Sequence, residues 1–138
     1  MNHINSINPN IWGPSGWKFL HYVSLGYPDN PNERDKQNYK NFFYSLSNVI
    51  PCQKCSNNLK QNLNDYPIDN SLSNRESLSK WVIDIHNSVN QELNKPTFDY
   101  ETALDLYPLT NTNYTNNKSF KFIILLFILI CIYFILKK

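Results

Sequence analysis

Ser73-Asn-Arg-Glu-Ser-Leu-Ser-Lys-Trp-Val-Ile-Asp-Ile-His-Asn-Ser-Val-Asn-Gln-Glu-Leu-Asn-Lys-Pro96 decides the fold. Leu78, Trp81, Val82, Ile85, Val89 and Leu93 recur every three or four residues, which places them on one face of a helix. Ser73 and Glu76 stand at the spacing of a capping box, the hydroxyl accepting the Glu76 amide and the carboxylate reaching back. Pro96 ends the segment. His86 and Asn90 are four apart and share a face, with Asn87 beside them. Asn is a mediocre helix former. Two of them next to a histidine read either as a polar lining for something bound between helices or as a solvated face in an Asn-rich chain.

Three further helical segments precede this one. Pro14 or Ser15 begins the first, which runs to Leu25 with Trp17, Leu20, His21 and Ser24 on one face and Gly26-Tyr27-Pro28 as its end. The second runs from Glu33 to Val49, with Tyr39, Phe42, Phe43, Leu46 and Val49 as its apolar stripe. Pro51 stops it and suits the start of a third, Cys52 to Asn64, whose Leu59 and Leu63 face inward. Beyond Pro96, Asp99 caps a short fifth helix through Leu106. This pattern predicts an all-α domain, a four-helix bundle with a short fifth helix, and bundles hold cofactors between facing helices.

Composition supports that class. The 138 residues allow one domain and a tail; aromatics reach 14 %, enough large apolar surface for a core, while three glycines argue against a turn-rich β fold. A net charge of +2, with lysines scattered, gives no nucleic-acid footprint. Residues 1–10 form a polar arm without the apolar run of a cleavable signal. At the other end, Phe122 to Leu136 holds no charge and is flanked by Lys118, Lys121, Lys137 and Lys138. Fifteen apolar residues make roughly 22 Å of helix. That is short of the ~20 residues that span a bilayer, but Phe120 and snorkelling lysines close most of the gap. A transmembrane anchor over 120–136 is expected, joined by a polar tether at 109–119. The alternative is a buried core helix, which would show a polar face.

Chemistry centres on Pro51-Cys52-Gln53-Lys54-Cys55. The dipole and free amides of a helix start favour a thiolate at Cys52, Lys54 adds positive charge, and Cys55 lies one turn on. A zinc site lacks the usual paired histidines, although His21 and His86 could complete one. A purely structural bond would close too small a loop to stabilise much. A redox-active pair is the reading that remains. Trp12, Trp17 and His21 are each ordinary core residues taken singly, but Trp17 and His21, four apart, could flank a flat ligand, with Tyr27 beside them.

Together these pieces resemble one family. Trp12-Gly13-Pro14, Trp17, His21 and Tyr27-Pro28 are followed by Pro51-Cys52-x-x-Cys55, then Trp81, His86-Asn87-x-Val89-Asn90-x-x-Leu93-x-Lys95-Pro96 and Phe98-Asp99. In this order and spacing the chain is similar to the FAD-dependent sulfhydryl oxidases of the Erv/augmenter-of-liver-regeneration type, and most of all to members encoded by large DNA viruses. The resemblance implies an FAD-binding oxidase domain over 11–108, usually a homodimer. It implies Cys52 and Cys55 as the catalytic pair, Cys52 solvent-facing and attacked by a partner thiolate, Cys55 next to the flavin. Trp12, Gly13, Trp17, His21 and Tyr27 would line FAD from the first helix, and His86, Asn87, Val89, Asn90 and Lys95 from the fourth. Electrons would pass from a reduced dithiol protein, a small CxxC or thioredoxin-like carrier or the substrate itself, through FAD to O2. With a tail anchor the oxidase domain would face the cytosol at a host or virion membrane. The chain departs from cellular members at Ile83 and Tyr100, where they carry a structural disulfide; an apolar contact is expected instead. The competing reading is a membrane-anchored, zinc-stabilised helical adaptor without catalysis.

Overall fold

The computed structural model describes residues 6–108, so the expected tether and anchor lie outside the described residues. Among the described residues five α-helices and one 3-10 turn appear in order: α1 Pro9–Leu25, α2 Glu33–Val49, α3 Gln53–Asp65, the 3-10 turn Ile68–Ser71, α4 Arg75–Glu92 and α5 Tyr100–Asp105. The described residues contain no strand. None of their helices is long and apolar enough to cross a membrane.

The helix count agrees with the expectation, and α2 has the expected bounds. Its start is a capping box: the Asn32 side chain accepts from the Asp35 amide while the Asp35 carboxylate accepts from Asn32 N–H. Two starts differ. α1 begins at Pro9, five residues earlier than the first of the expected positions, because Asn8 caps it by accepting from Asn10 N–H. Pro14 therefore sits inside the helix as its sixth residue, past the first turn, where it has no N–H to donate to the carbonyl four residues back. In α4 the cap is one residue later than expected: Asn74 accepts from Ser77 N–H, and Glu76 pairs outward with Lys80 instead of reaching back.

The end of α4 explains another difference. Asn94 has φ 54, a left-handed conformation that asparagine tolerates better than most residues. Asn94 N–H donates to Gln91 O at 3.0 Å and Lys95 N–H to Asn90 O at 2.8 Å, the paired bonds of a Schellman cap. The helix thus stops before Pro96, and Leu93, expected on the core stripe, lies just past its last residue, exposed. Val49, likewise expected inside, is the last residue of α2 and is exposed.

The core is built from Tyr27, Phe43, Leu63, Ile68, Leu72, Leu78, Trp81, Val82 and Ile85. α1 packs chiefly on α4, and α2 on α3. Trp81 stands edge-on to Phe43 at 5.0 Å and donates its indole N–H to Tyr66 O at 2.8 Å, so its polar atom is satisfied without leaving the core. Arg75 ties α4 to the α1–α2 turn, its Nε donating to Tyr27 O at 2.8 Å and its guanidinium 3.2 Å from Asp29. Between α4 and α5 the expected apolar substitute for a disulfide is a polar one: the Tyr100 hydroxyl donates to Asp84 at 2.8 Å and Lys80 lies 5.4 Å from the Tyr100 ring.

Candidate functional site

Cys52 and Cys55 are joined as a disulfide, Cα to Cα 5.2 Å, at the start of α3. Cys52 is the helix N-cap; its sulfur accepts the Cys55 amide N–H at 3.1 Å. A sulfur in that position is held by the amide and the positive end of the helix dipole, which favour it as a thiolate when the bond opens. The Ser56 hydroxyl, fully buried, donates to Ser47 O and fixes this end of α3 to α2.

Cys52 is only 7 % exposed, against the expectation of a solvent-facing sulfur, and Cys55 is half-buried. Its neighbours show why. The segment before α1 runs beside the pair: Ile7 N–H donates to Pro51 O at 2.7 Å, and the Trp12 indole N–H donates to Ile7 O at 3.3 Å.

Behind the disulfide lies a cavity of about 760 Å³, in the range of cofactor sites and walled mostly by apolar groups. Cys52 and Cys55 line it. So do Trp12, Gly13, Trp17 and His21 from α1, His86, Asn87, Val89 and Asn90 from α4, and Lys95 just beyond. Tyr27 does not. It is fully buried in the core, edge-on to Tyr39, and its hydroxyl donates to Leu72 O at 3.0 Å. Tyr27 is therefore removed from the expected site: being two residues beyond α1, it turns away from the face that carries Trp17 and His21.

The ring arrangement is specific. Trp17 stacks on His86 at 4.0 Å with planes 9° apart, and His21 Nε2 and His86 Nδ1 share a hydrogen bond at 3.0 Å. Burial lowers both histidines to about 4, helped at His21 by His86 and at His86 by Lys95, so both rings are neutral at pH 7 and one donates to the other. Sequence reasoning missed Tyr107, which stacks on His21 at 4.2 Å. It also missed what holds Tyr107's segment: the Asn87 carboxamide donates to Phe98 O at 2.8 Å and accepts from Phe98 N–H at 3.0 Å. Asn87 thus secures the chain leading into α5 as a wall of the cavity. A histidine-asparagine pair facing a later Phe-Asp was the signal available.

The donor set suits a flat, phosphate-bearing cofactor. Stacked rings supply planar walls, Asn90 and the neutral histidines supply polar contacts, and Lys95 supplies positive charge. Gly13 leaves room for close approach, since a Cβ there would meet nothing within 4 Å. A disulfide in the wall of such a cavity, at a helix start, defines a helical bundle equipped for thiol–disulfide exchange.

The comparisons with known proteins agree. The profile of the Erv1 / Alr family matches residues 14–108, and the chain belongs to this family. A probable FAD-linked sulfhydryl oxidase of Acanthamoeba polyphaga mimivirus is 48 % identical over 107 residues, 77 % of this chain and 75 % of that one. A putative FAD-linked sulfhydryl oxidase of Invertebrate iridescent virus 3 is 33 % identical over 74 % of this chain and 69 % of its own. The crystal structure of the FAD binding domain of Erv1 from Saccharomyces cerevisiae is similar with a TM-score of 0.69 at 29 % identity, covering 73 % of this chain and 94 % of that one.

Proposed function

We propose that this chain is an FAD-linked sulfhydryl oxidase that makes disulfides in partner proteins. The observation that carries the reading is the Cys52–Cys55 disulfide in the wall of the ring-lined cavity, in a chain of the Erv1 / Alr family. Trp17, His21, His86, Asn90 and Lys95 would hold FAD, Trp12, Gly13 and Val89 line the same cavity, and Asn87 fixes its far wall. FAD, when bound, supplies the acceptor for the two electrons of the Cys52–Cys55 dithiol and passes them to O2, giving H2O2.

The chain's own part is exchange. A thiolate of a reduced dithiol partner attacks Cys52, reaching it beside the Ile7–Pro51 contact; a mixed disulfide forms and Cys55 leaves as a thiolate. The partner's second thiol then attacks that mixed disulfide, releasing oxidised partner and leaving Cys52 and Cys55 as a dithiol. Cys52 is stabilised as the thiolate by the Cys55 amide. Cys55, in the cavity wall, would be the sulfur that hands electrons to the cofactor. The protein works as a homodimer, and the segment 120–136 anchors it in a membrane with the oxidase domain in the cytosol.

Oxygen uptake with dithiothreitol, followed beside the flavin spectrum, tests the enzyme. Wild type consumes O2; Cys55→Ser retains yellow cofactor and consumes none. Uptake by Cys55→Ser at the wild-type rate would refute the assignment. The anchor has its own check: the full chain floats with lipid vesicles, and a chain ending at Ser119 stays behind.

A further inference from the structure

The bundle is built as two helix pairs, and the two halves of the site lie on different ones. α1 packs chiefly on α4, and these two carry Trp17, His21, His86 and Asn90. α2 packs on α3, which begins at the Cys52–Cys55 disulfide and is tied to α2 by the bond from the Ser56 hydroxyl to Ser47 O. How α3 meets α4 therefore sets how the sulfurs face the ring-lined wall. That meeting is made by a ladder of polar bonds. Asn58, Asn62 and Tyr66, the cap of α3, follow one another at intervals of four residues. The Asn58 carboxamide donates to the Glu92 carboxylate, the Ser88 hydroxyl donates to Asn62 Oδ1 at 2.8 Å, and Tyr66 O accepts from the Trp81 indole at 2.8 Å. Ser88 and Glu92 are themselves four apart on α4, so the first two rungs match turn for turn. Cys55 stands one turn before Asn58, and Cys55, Asn58 and Glu92 all line the cavity. Asn62 is the costly member: it is 4 % exposed, and its Nδ2 meets no acceptor among the described residues. An apolar pair of similar volume in place of Asn62 and Ser88 would serve the fold as well or better.

We propose that Asn62 and Ser88, with Asn58 and Glu92 one turn nearer the disulfide, are positioning residues that hold α3 in register on α4 and so set the approach of Cys55 to the cofactor. The proposal rests on the sulfhydryl oxidase reading above. Helices that meet through apolar side chains alone have neighbouring registers of similar energy; a directional bond singles out one of them, the best-attested use of a buried polar group between helices. A slip of α3 by one residue moves it about 1.5 Å along its axis, and because both rungs share the same spacing, that slip breaks the two together. The step at stake is sensitive to such a shift. As the Cys52–Cys55 dithiol closes to a disulfide, two electrons and two protons leave it for FAD. A misplacement of about 1 Å between reacting groups costs on the order of a hundredfold in rate.

The test uses the full chain and two variants. Asn62→Leu combined with Ser88→Ala replaces the buried rung by apolar groups. Glu92→Ala, at an exposed position, removes the outer rung and leaves the core alone. Three quantities are measured: the urea midpoint of cofactor-free chain, the rate at which dithiothreitol reduces Cys52–Cys55 in that same cofactor-free chain, and the anaerobic bleaching rate of bound flavin at saturating dithiothreitol. The double variant should keep or raise the urea midpoint, be reduced as fast as wild type without the cofactor, and bleach roughly ten- to a hundredfold more slowly with it. Glu92→Ala should slow bleaching by less, and Ser88→Thr, which keeps the hydroxyl, should bleach as wild type does. Bleaching at the wild-type rate in both the double variant and Glu92→Ala would overturn the positioning role while leaving the oxidase intact. So would slow bleaching accompanied by a lower urea midpoint, by loss of bound flavin, or by equally slow reduction of the cofactor-free disulfide, because the ladder would then be ordinary packing. Wild-type flavin that dithiothreitol never bleaches would instead refute the oxidase reading.

Discussion

Single residues set the cavity's geometry, and two glycines one turn apart do so in opposite ways. A Cβ at Gly16 would lie 3.3 Å from the Trp12 ring, so that indole rests against the bare helix backbone, from where its N–H reaches Ile7 O. A Cβ at Gly13 would meet no protein atom within 4 Å, although Gly13 lines the cavity. Gly16→Ala therefore pushes the Trp12 ring aside by a few tenths of an ångström, and the thermal midpoint of cofactor-free protein gains less than it does in Gly13→Ala. Gly13→Ala leaves that midpoint unchanged or slightly raised, because alanine is the better helix former by about 1 kcal/mol, yet weakens FAD retention during gel filtration. Equal retention by Gly13→Ala and wild type would mean that the cofactor does not approach this turn. Ser56→Ala strands the buried Ser47 carbonyl and should cost about 1–2 kcal/mol in urea unfolding.

Elements differ in how plainly the sequence announces them. α2 and the core of α4 were legible because a helix with one wet face must repeat its apolar residues at 3.6, and Phe43, Leu78, Trp81, Val82 and Ile85 do so. Their ends were harder, because a cap depends on one side chain's choice among near-equal partners. Ser73 and Asn74 are both good caps, and only the folded backbone selects Asn74. The stop at Asn94 rather than Pro96 turns on a single left-handed residue. That stop has its own prediction. Asn94→Gly keeps the Schellman cap and leaves stability within a few tenths of a kcal/mol or raises it. Asn94→Val, β-branched in a left-handed position, costs about 1–2 kcal/mol, read as a lower urea midpoint. If both variants unfold alike, the cap is not what ends α4. α5 itself was legible from its Asp99 cap, but its docking was harder to read: the Asn87–Phe98 bonds join residues eleven apart, and only the Asn87 side chain of that contact shows in the sequence.

Across the whole molecule, most of the expected site converges and one member leaves it. Residues from α1, α3 and α4 as far apart in sequence as Trp12 and Lys95 meet around one cavity, while Tyr27 belongs to the core. The expectation failed at Tyr27 because an aromatic near the end of a lining helix can turn either way, and burial of its hydroxyl against Leu72 O decided it. The same cavity gives the cofactor-free fold a pH dependence. His21 and His86 ionise near 4 when folded and near 6.5 when unfolded, so the unfolded chain binds more protons between those values. Their contribution is whole above about 6.5 and is lost as pH falls toward 4. Urea midpoints of cofactor-free protein should drop between pH 7 and pH 5, and His86→Phe should flatten the drop. A midpoint that rises on acidification would contradict buried neutral histidines.

The central claim is that this bundle holds FAD against Cys52–Cys55 and takes electrons from that pair. An absorbance spectrum of the purified chain under anaerobic dithiothreitol, followed by admission of air, tests it in one cuvette. The account predicts a yellow protein whose flavin band bleaches with the dithiol and returns with oxygen, and a Cys55→Ser variant that stays yellow throughout. A chain that remains colourless after refolding with FAD, or whose flavin band ignores the dithiol while Cys52 and Cys55 are intact, would contradict it.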